Sequence, residues 1–176
     1  MSIRPDTKDW TWVLEKPCPE CGFEARSLAL DGIGSALRDN ARSWVAEVLP
    51  RADVRERPDD HTWSALEYAC HVRDVFRLYT VRLDLMLTED DPDFVNWDQD
   101  ETAIVERYSE QDPSTVAIEL AEAADALADR FDRVEGDEWE RTGTRSDGAR
   151  FTVDTFGRYL VHDPVHHLYD VRKPGI

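Results

Sequence analysis

Residues 162–171, HDPVHHLYDV, place three histidines and two aspartates in nine consecutive positions. Imidazole and carboxylate are the side chains that bind divalent cations near neutral pH. Residues four apart on a helix share a face, with Cβ atoms about 5–6 Å apart, and can approach one ion together. Two such pairs interleave here, His162 with His166 and Asp163 with His167. At 3.6 residues per turn, Asp163 and His167 lie with Phe156, Leu160 and Val171, toward a core. His162 and His166 turn toward Thr155, Tyr159 and Tyr169 and form the alternative metal pair. His71 falls beside Tyr68, Val75 and Leu78 on the apolar side of another helical segment. Taken alone, such a histidine is more often a hydrogen-bonded core residue than a ligand. Joined to Asp163 and His167, it completes two imidazoles and one carboxylate, a set that leaves positions open for water or substrate.

Pro164 leaves two readings open. Inside a helix it removes a hydrogen bond and crowds the carbonyl of Leu160, at about 3 kcal/mol or more. Alternatively a new helix starts there, with Asp163 as its N-cap and Pro164 at its first position, and Asp163 is then a cap. A kink at the proline would also let His162 replace Asp163. A further group lies in KPCPECGFEA, where Cys18 and Cys21 form a single CxxC. It reads as a second metal site or a redox pair, or most simply as a prolyl turn carrying two reduced thiols. Only Cys70 remains, so a four-ligand site would recruit histidines such as His61.

The elements that must position these groups follow from apolar spacing. Residues 25–49 carry Leu30, Ile33, Leu37, Ala41, Trp44, Val45 and Val48 at helical intervals, and Pro50 ends the run. A second helix opens at a Thr62 cap and extends to about residue 88 through Leu66, Tyr68, Val72, Val75, Phe76, Tyr79, Leu83 and Met86. A loop with a short helix near residues 103–108 follows. A third long helix spans 114–134, with Val116, Ile118, Leu120, Leu127 and Phe131 on its apolar positions. Residues 135–150 are turn chemistry, and 151–173 form a fourth helix interrupted at Pro164. The expected fold is all-α: a four-helix bundle over residues 25–176. An extended N-terminal arm with the CxxC covers residues 1–24, and a long loop joins the second and third helices. Trp10 and Trp12 are expected to cover a bundle edge.

Composition narrows the function. A formal net charge of −17 repels phosphate backbones and anionic membranes, so neither nucleic acid nor membrane is an expected partner. There is no apolar leader and no run of roughly 18–20 apolar residues. Three cysteines do not make a secreted disulfide framework. A soluble, cytoplasmic protein is expected. No glycine-rich phosphate loop or nucleophilic serine signature is present.

HTWSALEYACHVRDV, with Trp63 eight residues before His71, WERTGTRSDGARFTV ahead of the last helix, and DPVHHLYDV together resemble the DinB-like superfamily. The similarity spans most of residues 25–172. Its style is that of mycothiol- and bacillithiol-dependent S-transferases and the N-terminal domains of maleylpyruvate isomerases. The resemblance implies a divalent-metal triad on His71, Asp163 and His167, agreeing with the register above. Asp163 stands where the family usually has His or Glu, and Pro164 is not part of its usual pattern. Zinc is the first choice of metal, with nickel and iron compatible. The implied activity is thiol S-transfer or a related reaction, in which the metal activates a low-molecular-weight thiol such as mycothiol toward a small-molecule electrophile. FVNWDQDE would form the pocket rim, with Asp98 and Asp100 as solvated loop charges. A homodimer is also implied. The alternative is a non-catalytic bundle serving as a dimeric binding or stress-related module.

Overall fold

The computed structural model describes residue 3 and residues 9–173. Its helices are α1 (Ile33–Ser43), α2 (Ala65–Thr88), the short α3 (Gln99–Val105), α4 (Pro113–Phe131) and α5 (Val153–Arg172), with strands β1 (Thr142–Thr144) and β2 (Arg150–Thr152). The four long helices form the bundle. Both α4 and α5 pack against α1 and α2, while direct contacts within the successive pairs α1–α2 and α4–α5 are sparse. The helices of each of these two pairs therefore lie across the bundle from one another, and the connections within them must be long. Among the described residues no helix is long and apolar enough to cross a membrane.

The helix ends are set by side chains. Ser64, not Thr62, caps α2: its Oγ accepts from Glu67 N at 3.3 Å while Glu67 Oε2 accepts from Ser64 N at 2.8 Å. Trp63, just before the cap, packs on Tyr68 in the second turn at 5.5 Å between ring centroids. That is a hydrophobic staple, and it holds the indole over the start of α2. Asp112 caps α4, with Pro113 at the first position. The first helix starts later than its apolar spacing predicts, because residues 25–32 form two 3-10 turns. After Ser43 the chain widens into a π-helical turn, Trp44–Val48, seating the fully buried Trp44 indole. The short helix lies at Gln99–Val105, earlier than expected, because Asp98 accepts from the backbone of Asp100 and Glu101 and starts it there.

Three further findings differ from the sequence reading. Ile118 is 63% exposed; it stands two residues from Val116, about 200° around the helix, whereas Val116, Leu120, Ala123, Ala124, Leu127 and Phe131 face inward. The turn-rich segment carries a hairpin pairing Thr142 with Thr152 and Thr144 with Arg150. Strands of three residues are too short to show an alternating pattern. Phe94 N donates to Thr144 O and Thr144 N to Pro92 O, so the loop after α2 is laced to this hairpin. Finally, α5 runs unbroken through Pro164.

Continuity of α5 removes the cap reading of Asp163. The proline's missing N–H leaves the Leu160 carbonyl without its usual donor. Burial of Phe156, Leu160, Val161, Leu168 and Val171 along the same helix offsets that loss. Asn40 of α1 donates to the Pro164 carbonyl at 2.9 Å, tying the helices together at this turn. Close approach at Gly157 matters equally: a Cβ there would stand 2.8 Å from Ile33 Cδ1 and 2.9 Å from Phe131 Cε1.

Candidate functional site

The α2–α5 contact brings His71 against Asp163 and His167. His71 Nε2 is 3.6 Å from Asp163 Oδ2, and His167 Nε2 is 3.5 Å from Asp163 Oδ1. One donor atom from each of the three lies within 4.8 Å of the others. These separations are long for hydrogen bonds. They suit a shared ion, because ligands about 2.1 Å from a tetrahedral zinc stand about 3.4 Å apart. Both nitrogens of His71, Asp163 Oδ2 and His167 Nδ1 are buried without a hydrogen-bond partner. The donor set thus fits a divalent cation in chemistry, spacing and unmet need.

The surroundings fix the rings. His71 stacks on Trp97, 15° from parallel with centroids 5.6 Å apart, and its other neighbours are Trp63 at 5.3 Å and His167 at 5.0 Å. His167 also packs on Tyr68 at 5.0 Å. Burial opposes charging of His167, but the carboxylates of Asp163 and Asp170 outweigh it and push its pKa up to about 9. Burial likewise opposes the Asp163 carboxylate, yet His167 and His71 hold it far below the usual carboxylate range.

The triad sits between two pockets. A cleft of about 410 Å³ reaches Asp163 and His167 past Trp63, Tyr68 and Trp10. A second pocket of about 250 Å³ reaches His71 and Asp163 past Trp97, Arg82 and Arg145. Tyr159 and Gln99 line both. FVNWDQDE supplies rim residues as the sequence indicates, while Asp98 is a helix cap.

Three residues here escape sequence reasoning. Arg82 is 7% exposed, donates to Val95 O at 3.2 Å, and has no acidic partner among the described residues. Its Nε is buried and unsatisfied. Burial lowers its pKa, and nearby Arg145 adds to the effect. Arg145 is neutralised by Asp147 and donates to Tyr159 Oη at 2.8 Å. Burial raises the Tyr159 pKa, partly countered by Arg145, so the phenol keeps its proton. The only sequence sign was Arg82 on the inward stripe of α2, between Tyr79 and Leu83.

His162 and His166, which the wheel set outside the inward pair, are nonetheless buried. They are 4% and 8% exposed. The arm covers them, with Trp10 5.3 Å and 5.0 Å from the two rings and Phe23 5.8 Å from His162. Cys18 and Cys21 arrive on the same arm, and one donor atom from each of Cys18, Cys21, His162 and His166 lies within 4.8 Å of the rest. His61 does not join them; it is exposed on the cleft wall. Cys70 is buried elsewhere, its thiol directed at Gln111 Oε1. Burial and the neighbouring Cys18 raise the Cys21 pKa to about 11. Burial lowers the His162 pKa to about 4, leaving a neutral imidazole.

A family model described as DinB superfamily matches residues 35–171. No curated protein matches the chain. Among solved structures, YfiT from Bacillus subtilis, described as "a probable metal-dependent hydrolase with an unusual four-helix bundle topology", is similar with a TM-score of 0.65 at 16% identity. The match covers 97% of this chain and 91% of YfiT. At that identity the likeness establishes the bundle fold.

Proposed function

Because the chain belongs to the DinB superfamily and gathers His71, Asp163 and His167 between facing helices, we propose that it is a divalent-metal-dependent enzyme acting on a small molecule through those three ligands. The unsatisfied atoms carry this reading. Each buried, unpartnered polar atom costs about 1–3 kcal/mol, and each of the three residues carries at least one where two pockets meet. When bound, a divalent cation, zinc first on ligand type, supplies Lewis acidity that keeps a nucleophile anionic near neutral pH.

The finer reading is thiol S-transfer. Two imidazoles and one carboxylate would leave one positive charge of a dication uncompensated, and a dication held there would favour the anionic form of a thiol. The co-substrate is a low-molecular-weight thiol such as mycothiol. Its proton leaves to solvent, its sulfur bonds to an electrophilic carbon, and the leaving group departs with the electron pair. Trp63 and Trp97 hold the His71 ring and exclude water. Tyr159, protonated and between the two pockets, donates a hydrogen bond to the electrophile. Arg82, a buried cation without an acid, binds an anionic group on it. Hydrolysis, with water in place of the thiol, is the second reading, favoured by the description of YfiT.

The test is a zinc-loaded preparation given a thiol and an activated aryl or epoxide electrophile bearing a carboxylate, followed by thiol loss and product mass. A thioether product that disappears in His71→Ala supports transfer. A hydrolysed product with no thiol loss selects the second reading. Metal binding without either product leaves the non-catalytic module and refutes the enzyme.

A further inference from the structure

We propose that Cys18, Cys21, His162 and His166 form a second metal site, a closed Cys2His2 zinc centre that fastens the N-terminal arm to α5. It stands independently of the enzymatic reading. Two thiols and two imidazoles are a complete structural zinc set, with no position left for substrate. The spacing agrees: Cys18 Sγ is 3.6 Å from His166 Nδ1, and tetrahedral S and N ligands at about 2.3 and 2.1 Å from zinc stand about 3.6 Å apart. His162 Nε2 is buried with no hydrogen-bond partner. Cys18, His162 and His166 are buried, and Cys21 is half-buried.

Local structure prepares each ligand. Cys18 N donates to Phe23 O at 2.8 Å and Gly22 N to Cys18 O at 2.9 Å, closing a turn that carries both thiols. Gly22 makes that turn with φ of +74°, a conformation in which side chains are strained. His162 and His166 are one turn apart on α5. While Nδ1 of His166 faces Cys18, its Nε2 is 3.6 Å from Asp170 Oδ2, the carboxylate–imidazole arrangement that orients metal-bound histidines. The same Asp170 oxygen lies 3.9 Å from His167 Nδ1, so one carboxylate stands near a histidine of each cluster. Charge also closes: two thiolates balance a dication, which suits a buried site. Zinc entry displaces the two thiol protons to solvent, and no redox partner is needed.

The consequence is positional. The fastened arm keeps Trp10 against His162 and His166, where it forms a wall of the cleft over Asp163 and His167.

The experiment is a cobalt titration of the reduced full-length protein, followed by displacement with zinc. Wild type should take two equivalents, one of them producing thiolate-to-cobalt charge-transfer absorption. Cys18→Ser and Cys21→Ser should each lose that band and one equivalent, whereas His71→Ala should lose the other equivalent and keep the band. Wild-type protein that saturates with cobalt and shows no thiolate band overturns the proposal without reference to any variant. So do reduced thiols whose reaction rate with a disulfide reagent is unchanged by zinc. Loss of the band with retention of the His71-dependent equivalent separates failure here from failure of the enzyme site.

Discussion

Asp163→Asn probes the electrostatics of the bundle site most directly. In the metal-free protein, burial resists a charge on His167, and Asp163 overcomes it, raising the pKa from 6.5 to about 9. A shift of that size corresponds to about 3 kcal/mol favouring the protonated folded state. Because the folded pKa is above the unfolded one, this stabilisation is fully present below pH 6.5 and lost as the pH rises through about 9. Asp163 has the opposite sense: its contribution is present above the ordinary carboxylate value of 3.8 and fades as the pH falls below it. Metal binding reverses the demand on His167, since a ligand imidazole must be neutral. Zinc affinity at this site should therefore rise about tenfold per pH unit well below the pKa, or about 50-fold between pH 7 and 9. The measurement is chelator competition in a Cys18→Ser/Cys21→Ser background, with the His167 ring titrated by NMR in metal-free protein. Asp163→Asn should lower the His167 pKa by about 1–3 units, flatten the pH slope and weaken zinc throughout. A wild-type affinity independent of pH from 7 to 9, or an unmoved His167 titration in the variant, would refute the charge coupling between these residues.

Other substitutions separate architecture from chemistry. Phe156→Ala removes a ring that is 1% exposed and stacked on Tyr79 at 4.6 Å, and should destabilise the fold by about 3–5 kcal/mol in urea unfolding. Ser64→Ala breaks the capping box of α2 and should cost about 1 kcal/mol; the same transition measures it. Arg82→Met, similar in volume but uncharged, should raise KM for a carboxylate-bearing electrophile by about 10–100-fold, the equivalent of one charged hydrogen bond. KM for a neutral analogue should change little, and equal effects on both would place Arg82 outside the binding surface.

Much of the bundle was legible because helical burial is periodic. Leu66, Val72, Phe76, Leu83 and Met86 repeat at intervals that only one face of α2 satisfies, and all five are buried. The same periodicity picked Asp163 and His167 as the pair nearest His71, since register along a helix is a local property. Ile118 shows where that reasoning slips: an apolar residue within a helical run was assigned to the core, although its angle placed it outside.

What lies between elements distant in sequence was not legible. His162 and His166 fell outside the inward pair because a wheel describes one helix and not what is laid across it. The arm that buries them, and with them Cys18 and Cys21, is separated by 148 positions in the Cys18–His166 contact. Arg82 and Arg145 likewise meet at one pocket only because the hairpin and the loop after α2 are laced together. Sequence by itself determined the helices, most of their inward faces and the register that sets Asp163 and His167 on one side of α5, because these depend on neighbours within a turn or two. Tertiary structure alone decided which groups share a cavity, because that depends on how the diagonal connections return the chain and on which surface the arm covers.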